Sequence, residues 1–164
     1  MVSLICSAVK NILDKLLVSI CGLAIFILVT SVSWQVFSRY VLNDPSSFTD
    51  ELSRYVMIWL GLFGASYLFG KNGHLAITLL IDSVNEQWKK YLQLLINMIC
   101  LAFTYLAMFK GGLLLMGRTM QQFSPVLNIP MSYVYAILPI SGSIMMIYIL
   151  INCIQMLHNN NERS

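Results

Sequence analysis

Asp50, Glu51 and Arg54 form the densest group of ionisable side chains in a sequence that has few, with 10% of residues charged and 58% hydrophobic. The two acids stand four and three residues before the arginine, so on a helix either can pair with it along one face. Arg39, Tyr40, Asn43, Asp44, Pro45, Ser46, Ser47 and Thr49 precede them and make this the most polar connection in the chain. Asp44-Pro45 favours a turn, and Ser46 or Ser47 is suited to cap a helix whose first turn holds Asp50 and Glu51 against the positive end of its dipole. The chemistry on offer is recognition of charge. The blander reading is a capped helix start with a surface ion pair, worth a few tenths of a kcal/mol.

Other reactive residues are scattered. Cys6, Cys21, Cys100 and Cys153 sit singly in or beside apolar runs, without the paired spacing of a metal site or redox couple, and read as small packing residues. His74 has no carboxylate or second histidine nearby in sequence, so it reads as an interfacial hydrogen-bonding group rather than a metal ligand. No cofactor or metal is expected, and no catalytic residue. A quinone-linked thiol oxidase needs paired cysteines, a di-haem cytochrome b needs paired axial histidines, and a small multidrug antiporter needs a carboxylate within the membrane. The chain offers only His74 and His158, while Asp14, Asp82 and Glu86 fall outside the apolar cores. A net charge of +3 without a basic cluster gives no nucleic-acid signal.

The elements that must position these residues are apolar. A hydrocarbon slab about 30 Å thick takes about 20 helical residues to cross. Spans are expected at 16–37, 52–70, 91–110 and 132–157, the second reaching full length by letting Arg54 snorkel to the headgroups. The expected fold is an all-α integral membrane protein, one unit over 1–164, with four transmembrane helices and short loops. The first run is too long for a signal h-region and reads as an uncleaved span. Before it, Lys10, Asn11, Asp14 and Lys15 alternate with Ile5, Val9, Ile12, Leu13 and Leu16 at roughly helical spacing. This segment is either an amphipathic helix lying on the membrane or an extension of the first span.

Lys10, Lys15, Lys71, Lys89, Lys90 and Arg163 fall on the side shared by the termini and the middle loop. Arg39, Arg54 and Arg118 fall on the other, with Lys110 near the end of the third span, so both termini are expected to be cytoplasmic. Trp34, Tyr40, Tyr133, Tyr135 and Trp88 fit aromatic belts at the headgroups.

Gly61, Gly64 and Ala65 share a face of the second span, where small residues let another helix approach closely. Gly70 through Gly73 carry helix-ending glycine chemistry, with Lys71 favourable to the negative helix end. Between the third and fourth spans, Pro125 and Pro130 forbid a continuous helix, and Val126, Leu127, Ile129 and Met131 are oddly apolar for a loop. That loop either dips into the outer headgroup region or packs on another protein. Pro139, followed by Ser141, Gly142 and Ser143, implies a kink or a close helix contact.

Taken in order, these pieces resemble the small membrane subunit of tripartite ATP-independent periplasmic (TRAP) transporters, the DctQ-type family. The resemblance rests on Phe37-Ser38-Arg39-Tyr40-Val41, Thr49-Asp50-Glu51-Leu52-Ser53-Arg54-Tyr55, Trp59 with Gly64-Ala65, Lys71-Asn72-Gly73-His74, and Ser124-Pro125 through Ile129-Pro130-Met131 with Tyr135 and Pro139. Phe48 and Lys71 depart from the Trp and Arg expected there. The resemblance implies a bacterial inner-membrane scaffold subunit and two partners: a large DctM-type membrane subunit carrying the substrate and sodium sites, and a periplasmic DctP-type binding protein. It implies sodium-coupled uptake of organic acids, of the C4-dicarboxylate or sialic acid class, with overall similarity leaning to the sialic acid branch. Partner contacts are then expected at Arg39, Tyr40, Asp50, Glu51, Arg54, Trp59, Gly61, Gly64, Ala65, His74, Ser124, Pro125 and Pro130, with lipid around the rest. The competing readings are a membrane assembly factor, a stand-alone four-helix protein or a redox bundle.

Overall fold

The computed structural model describes residues 2–71 and 86–161. Helix α1 runs unbroken from Val2 to Tyr40. The amphipathic start is thus an extension of the first span, because no proline interrupts it and Gly22 is its only glycine. The helix stops where Asn43 takes a left-handed φ of 53°, a conformation asparagine tolerates, and the Asp44 N–H turns back to the Ser38 carbonyl at 3.1 Å. Pro45 then bars any continuation.

Helix α2 spans Ser47–Gly70. Ser46 occupies the N-cap with an extended backbone, but neither candidate serine caps through its side chain. The Ser46 N–H instead donates to the buried Ser38 hydroxyl at 3.3 Å, which fastens the turn to α1. A third rod comprises α3 (Glu86–Phe103), a π-helical segment (Thr104–Lys110) and α4 (Gly111–Thr119). This rod continues nine residues past the expected end of the third span at Lys110. The short α5 (Met131–Tyr135) and the long α6 (Ile137–Asn161) are separated at Ala136, just before Pro139. Among the described residues, four stretches are long and apolar enough to cross a membrane: Cys6–Tyr40, Ser47–Gly70, Tyr91–Arg118 and Met131–Ile154.

The helices pack as α1 on α2, α2 on α6, and α6 on the third rod. The last span is therefore central, with half of its apolar window buried against at most 17% in the others. Apolar side chains gain nothing by leaving lipid for each other, so the close contacts rest on small residues and buried hydrogen bonds. Trp59 Nε1 donates to the Val134 carbonyl at 3.1 Å, and the fully buried Ser66 hydroxyl reaches the Ser141 carbonyl at 3.3 Å. A Cβ on Gly142 would stand 3.0 Å from the Met108 Cβ, so this glycine admits the π-helical segment. The sequence Pro139 to Ser143 thus produces a close helix contact.

Candidate functional site

The end of the bundle where α1 stops and α2 starts is organised by Glu51, which turns inward while its neighbour Asp50 stays half-exposed. Asp50 takes the i,i+4 pair with Arg54 and accepts a hydrogen bond from Gln35 Nε2 on α1 at 2.8 Å. The Arg54 side chain is 70% exposed, which limits this ion pair to a few tenths of a kcal/mol. Glu51 makes no pair with Arg54. Its Oε1 accepts from the Tyr55 hydroxyl at 2.5 Å, and its Oε2 accepts from the backbone N–H groups of Val126 and Leu127 at 2.8 and 3.1 Å. A carboxylate with both oxygens engaged by N–H and O–H donors forms the strong, charge-assisted class of hydrogen bond.

The loop it grips is preshaped to present those donors. The Ser124 N–H donates to the Ile129 carbonyl at 2.9 Å, and the Met131 N–H donates to the Gln122 carbonyl at 2.8 Å. Asn128 supplies the left-handed residue, φ 53°, that closes the turn. Val126 and Leu127 thus direct two adjacent N–H groups at one oxygen, and the buried Ser124 hydroxyl also reaches the carboxylate. The loop is held by its own chain, through Glu51, which is neither of the two arrangements expected for it.

Together these elements frame an open pocket of about 430 Å³ whose walls include Gln35, Arg39, Ser46, Asp50, Arg54 and Pro125. Two guanidinium groups beside one half-exposed carboxylate suit acidic and hydrogen-bonding side chains of another protein. Below it lies an apolar groove of about 390 Å³ between α1, α2 and the loop, with Trp59 and Phe63 in its wall, edge to face at 5.9 Å.

Of the expected site residues, Arg39, Asp50, Glu51, Arg54 and Pro125 meet at the pocket, and Ser124 and Pro130 hold its loop wall. Tyr40 is exposed one residue beyond Arg39, at a smaller indentation. Trp59 ties α2 to α5. Gly61, Gly64 and Ala65 stay apart from the pocket, and a Cβ at either glycine would meet no atom within 4 Å. Among the described residues, no other helix packs against the two glycines. His74 lies outside the described residues.

A second polar cluster went unread in the sequence. Asp14, which precedes the first apolar run, is only 9% exposed. Its Oδ1 accepts from the hydroxyl of the fully buried Tyr148 at 2.7 Å, and its Oδ2 lies 3.0 Å from Lys71 Nζ. The carboxylate lies inside protein, so it escapes the cost of facing lipid. Hydrogen bonding to Asp14, then its charge, holds the Lys71 ammonium above the ordinary lysine range. The cluster clamps α1, the end of α2 and α6 at one level, and Gly70 makes room for it, since a Cβ there would meet the Tyr148 ring at 2.5 Å. Tyr148→Phe is expected to cost about 1–2 kcal/mol, seen as a lower melting temperature in detergent, with Asp14 still held by Lys71. Only the Tyr in Tyr148, within an apolar span, and the acid in Asp14, just before the first apolar run, could have signalled it.

Comparison with known proteins gives one consistent answer. A family described as tripartite ATP-independent periplasmic transporters, DctQ component, matches residues 16–159. Two proteins of Haemophilus influenzae, provisionally named TRAP transporter small permease proteins, are similar over most of their length. One is 27% identical over 135 residues, 82% of this chain and 83% of the relative. The other is 28% identical over 134 residues, 82% and 81%. The sialic acid TRAP transporter small permease protein SiaQ of Vibrio cholerae is 32% identical over 60 residues, 37% of this chain and 35% of its own.

Proposed function

Because this chain belongs to the DctQ family, the small membrane subunits of TRAP transporters, we propose that it acts as the fixed scaffold of a sodium-coupled organic-acid uptake system. Its partners in this reading are a large DctM-type membrane subunit and a DctP-type periplasmic binding protein. It lies in the bacterial inner membrane with both termini cytoplasmic, which puts Arg39, Asp50, Arg54 and the 124–130 loop on the periplasmic side. The observation that carries the docking role is the grip of Glu51 on Val126 and Leu127. Through it, a half-exposed polar wall on α1 and α2 and an irregular loop become one rigid surface, which spares a docking protein the entropy of ordering a loop. Membership in a transporter family favours this role over an enzyme's. The partial likeness to a sialic acid small permease supports sialic acid among the organic acids.

The test is purification from the native host in mild detergent with mass identification and stoichiometry. One large polytopic membrane protein in equal amount is the expected result; the chain alone, or many unrelated clients, would refute the subunit role. Gly61→Leu and Gly64→Leu sharpen the experiment. Each is expected to leave the melting of the isolated chain unchanged, since neither position meets another atom within 4 Å, and to reduce the retained partner about tenfold, a change of about 1.4 kcal/mol.

A further inference from the structure

Lys110 is exposed and lies within the Tyr91–Arg118 stretch that is long and apolar enough to cross a membrane. Two close contacts bracket it on the third rod: Met108 lies against Gly142, and a Cβ on Gly112 would stand 2.7 Å from the Pro139 Cδ. The Ser66 to Ser141 hydrogen bond ties that level of α6 to α2. Lys110 therefore sits level with Gly64 to Ser66, about 16 Å along the axis from Arg54 and about 10 Å from Lys71, at 1.5 Å per residue. Between those two cations α2 carries no charged residue. The lysine stem reaches about 6 Å. A helical side chain leans toward the N-terminus of its helix, here toward the nearer boundary, and the ammonium still stops short of it.

We propose that Lys110 pairs with an aspartate or glutamate on a transmembrane helix of the large membrane subunit, an inference that rests on the small-subunit reading above. A lipid phosphate stays at the headgroups, beyond the reach of this side chain. A second copy of this chain has no acid to offer. Asp14 is held by Tyr148 and Lys71, Asp50 by Gln35 and Arg54, and Glu51 by the loop. Asp44 lies in the turn after α1, and Asp82, Glu86 and Glu162 lie outside the apolar runs. The surface around Lys110 is otherwise suited to burial against a helix: Leu113 and Leu114 are about half-exposed, and a Cβ at Gly117 would meet no atom within 4 Å. In hydrocarbon, an ionisable group without a partner is costly, and opposite charges arriving on two chains remove that cost for both.

The experiment is co-expression with the large subunit, purification in mild detergent, and quantification of the pair. Lys110→Glu and Lys110→Gln are both expected to reduce the retained large subunit at least about tenfold, while the melting of the isolated variants stays at the wild-type value. Exchanging one membrane-embedded carboxylate of the large subunit for lysine should restore the Lys110→Glu complex and no other. Wild-type retention in both variants overturns the pairing and leaves the subunit role intact. Unchanged retention with loss of co-purified anionic phospholipid assigns the cation to lipid and also overturns it. A wild-type chain that retains no large subunit overturns the subunit role and the pairing together.

Discussion

Replacing Glu51 with alanine is expected to free the 122–131 loop while leaving the four spans in place. The change removes one shared acceptor, so the Val126 and Leu127 N–H groups and the Tyr55 and Ser124 hydroxyls lose their carboxylate together. Two of these donors are backbone groups of an irregular loop that no helix or sheet supports at those positions. Amide exchange at Val126 and Leu127 should accelerate by about a hundredfold, because local opening then stands in for the protected state. Exchange within α2 and α6 should not move. Uptake by the assembled transporter is expected to fall about tenfold if the loop and α2 act as one docking surface. Glu51→Gln keeps an acceptor for the two amides and should retain most of the protection. Arg54→Ala, which breaks only an exposed ion pair, should leave loop exchange unchanged. Unaltered exchange in Glu51→Ala would show that the loop holds its shape without the carboxylate.

Gly112→Val is expected to give the largest loss of stability in the isolated chain. A Cβ at this position would stand 2.7 Å from the Pro139 Cδ, 2.9 Å from the Leu138 Cβ and 3.0 Å from the Pro139 nitrogen. All three atoms belong to backbone, a proline ring or a side-chain root, so no rotamer change relieves the overlap. The third rod must move off α6, its principal contact, at a cost of about 3 kcal/mol. Gly117→Val on the same helix is the matched control. It introduces the same side chain where no atom lies within 4 Å, and it should melt at or above the wild-type temperature. Gly70→Val faces a movable ring instead, and its effect should lie between the two because Tyr148 can swing only by leaving Asp14. Equal melting temperatures for Gly112→Val and Gly117→Val would mean that the contact with α6 is not tight.

The apolar runs alone imply four helices, because hydrocarbon leaves a backbone no other way to satisfy its polar groups short of a closed barrel. The turn at Asp44-Pro45, the breaks at Pro125 and Pro130, and the Asp50–Arg54 pair were also legible, since each depends on residues a few positions apart. Resemblance carried the family. Local spacing misled at Glu51, which it offered as an equal partner for Arg54, because the competing donors lie about 75 residues downstream. It misled again at Lys110, placed near a helix end when the rod continues to Thr119 past Gly111, Gly112 and Gly117, three glycines that lower local apolarity without ending the helix.

What the sequence determined by itself is everything set by the solvent and by near neighbours: helices of spanning length, their polar ends, and the residues that stop them. Which groups face inward was decided only by the tertiary structure. In lipid the outside of a bundle is as apolar as the inside, so hydrophobic pattern does not mark the core, and α6 could not be told from its neighbours as the central helix. Asp14 with Tyr148, Glu51 with the loop, and Gly112 with Pro139 each join residues that only packing brings together. Their energies come from hydrogen bonds and close contact between distant elements, and no local spacing encodes those.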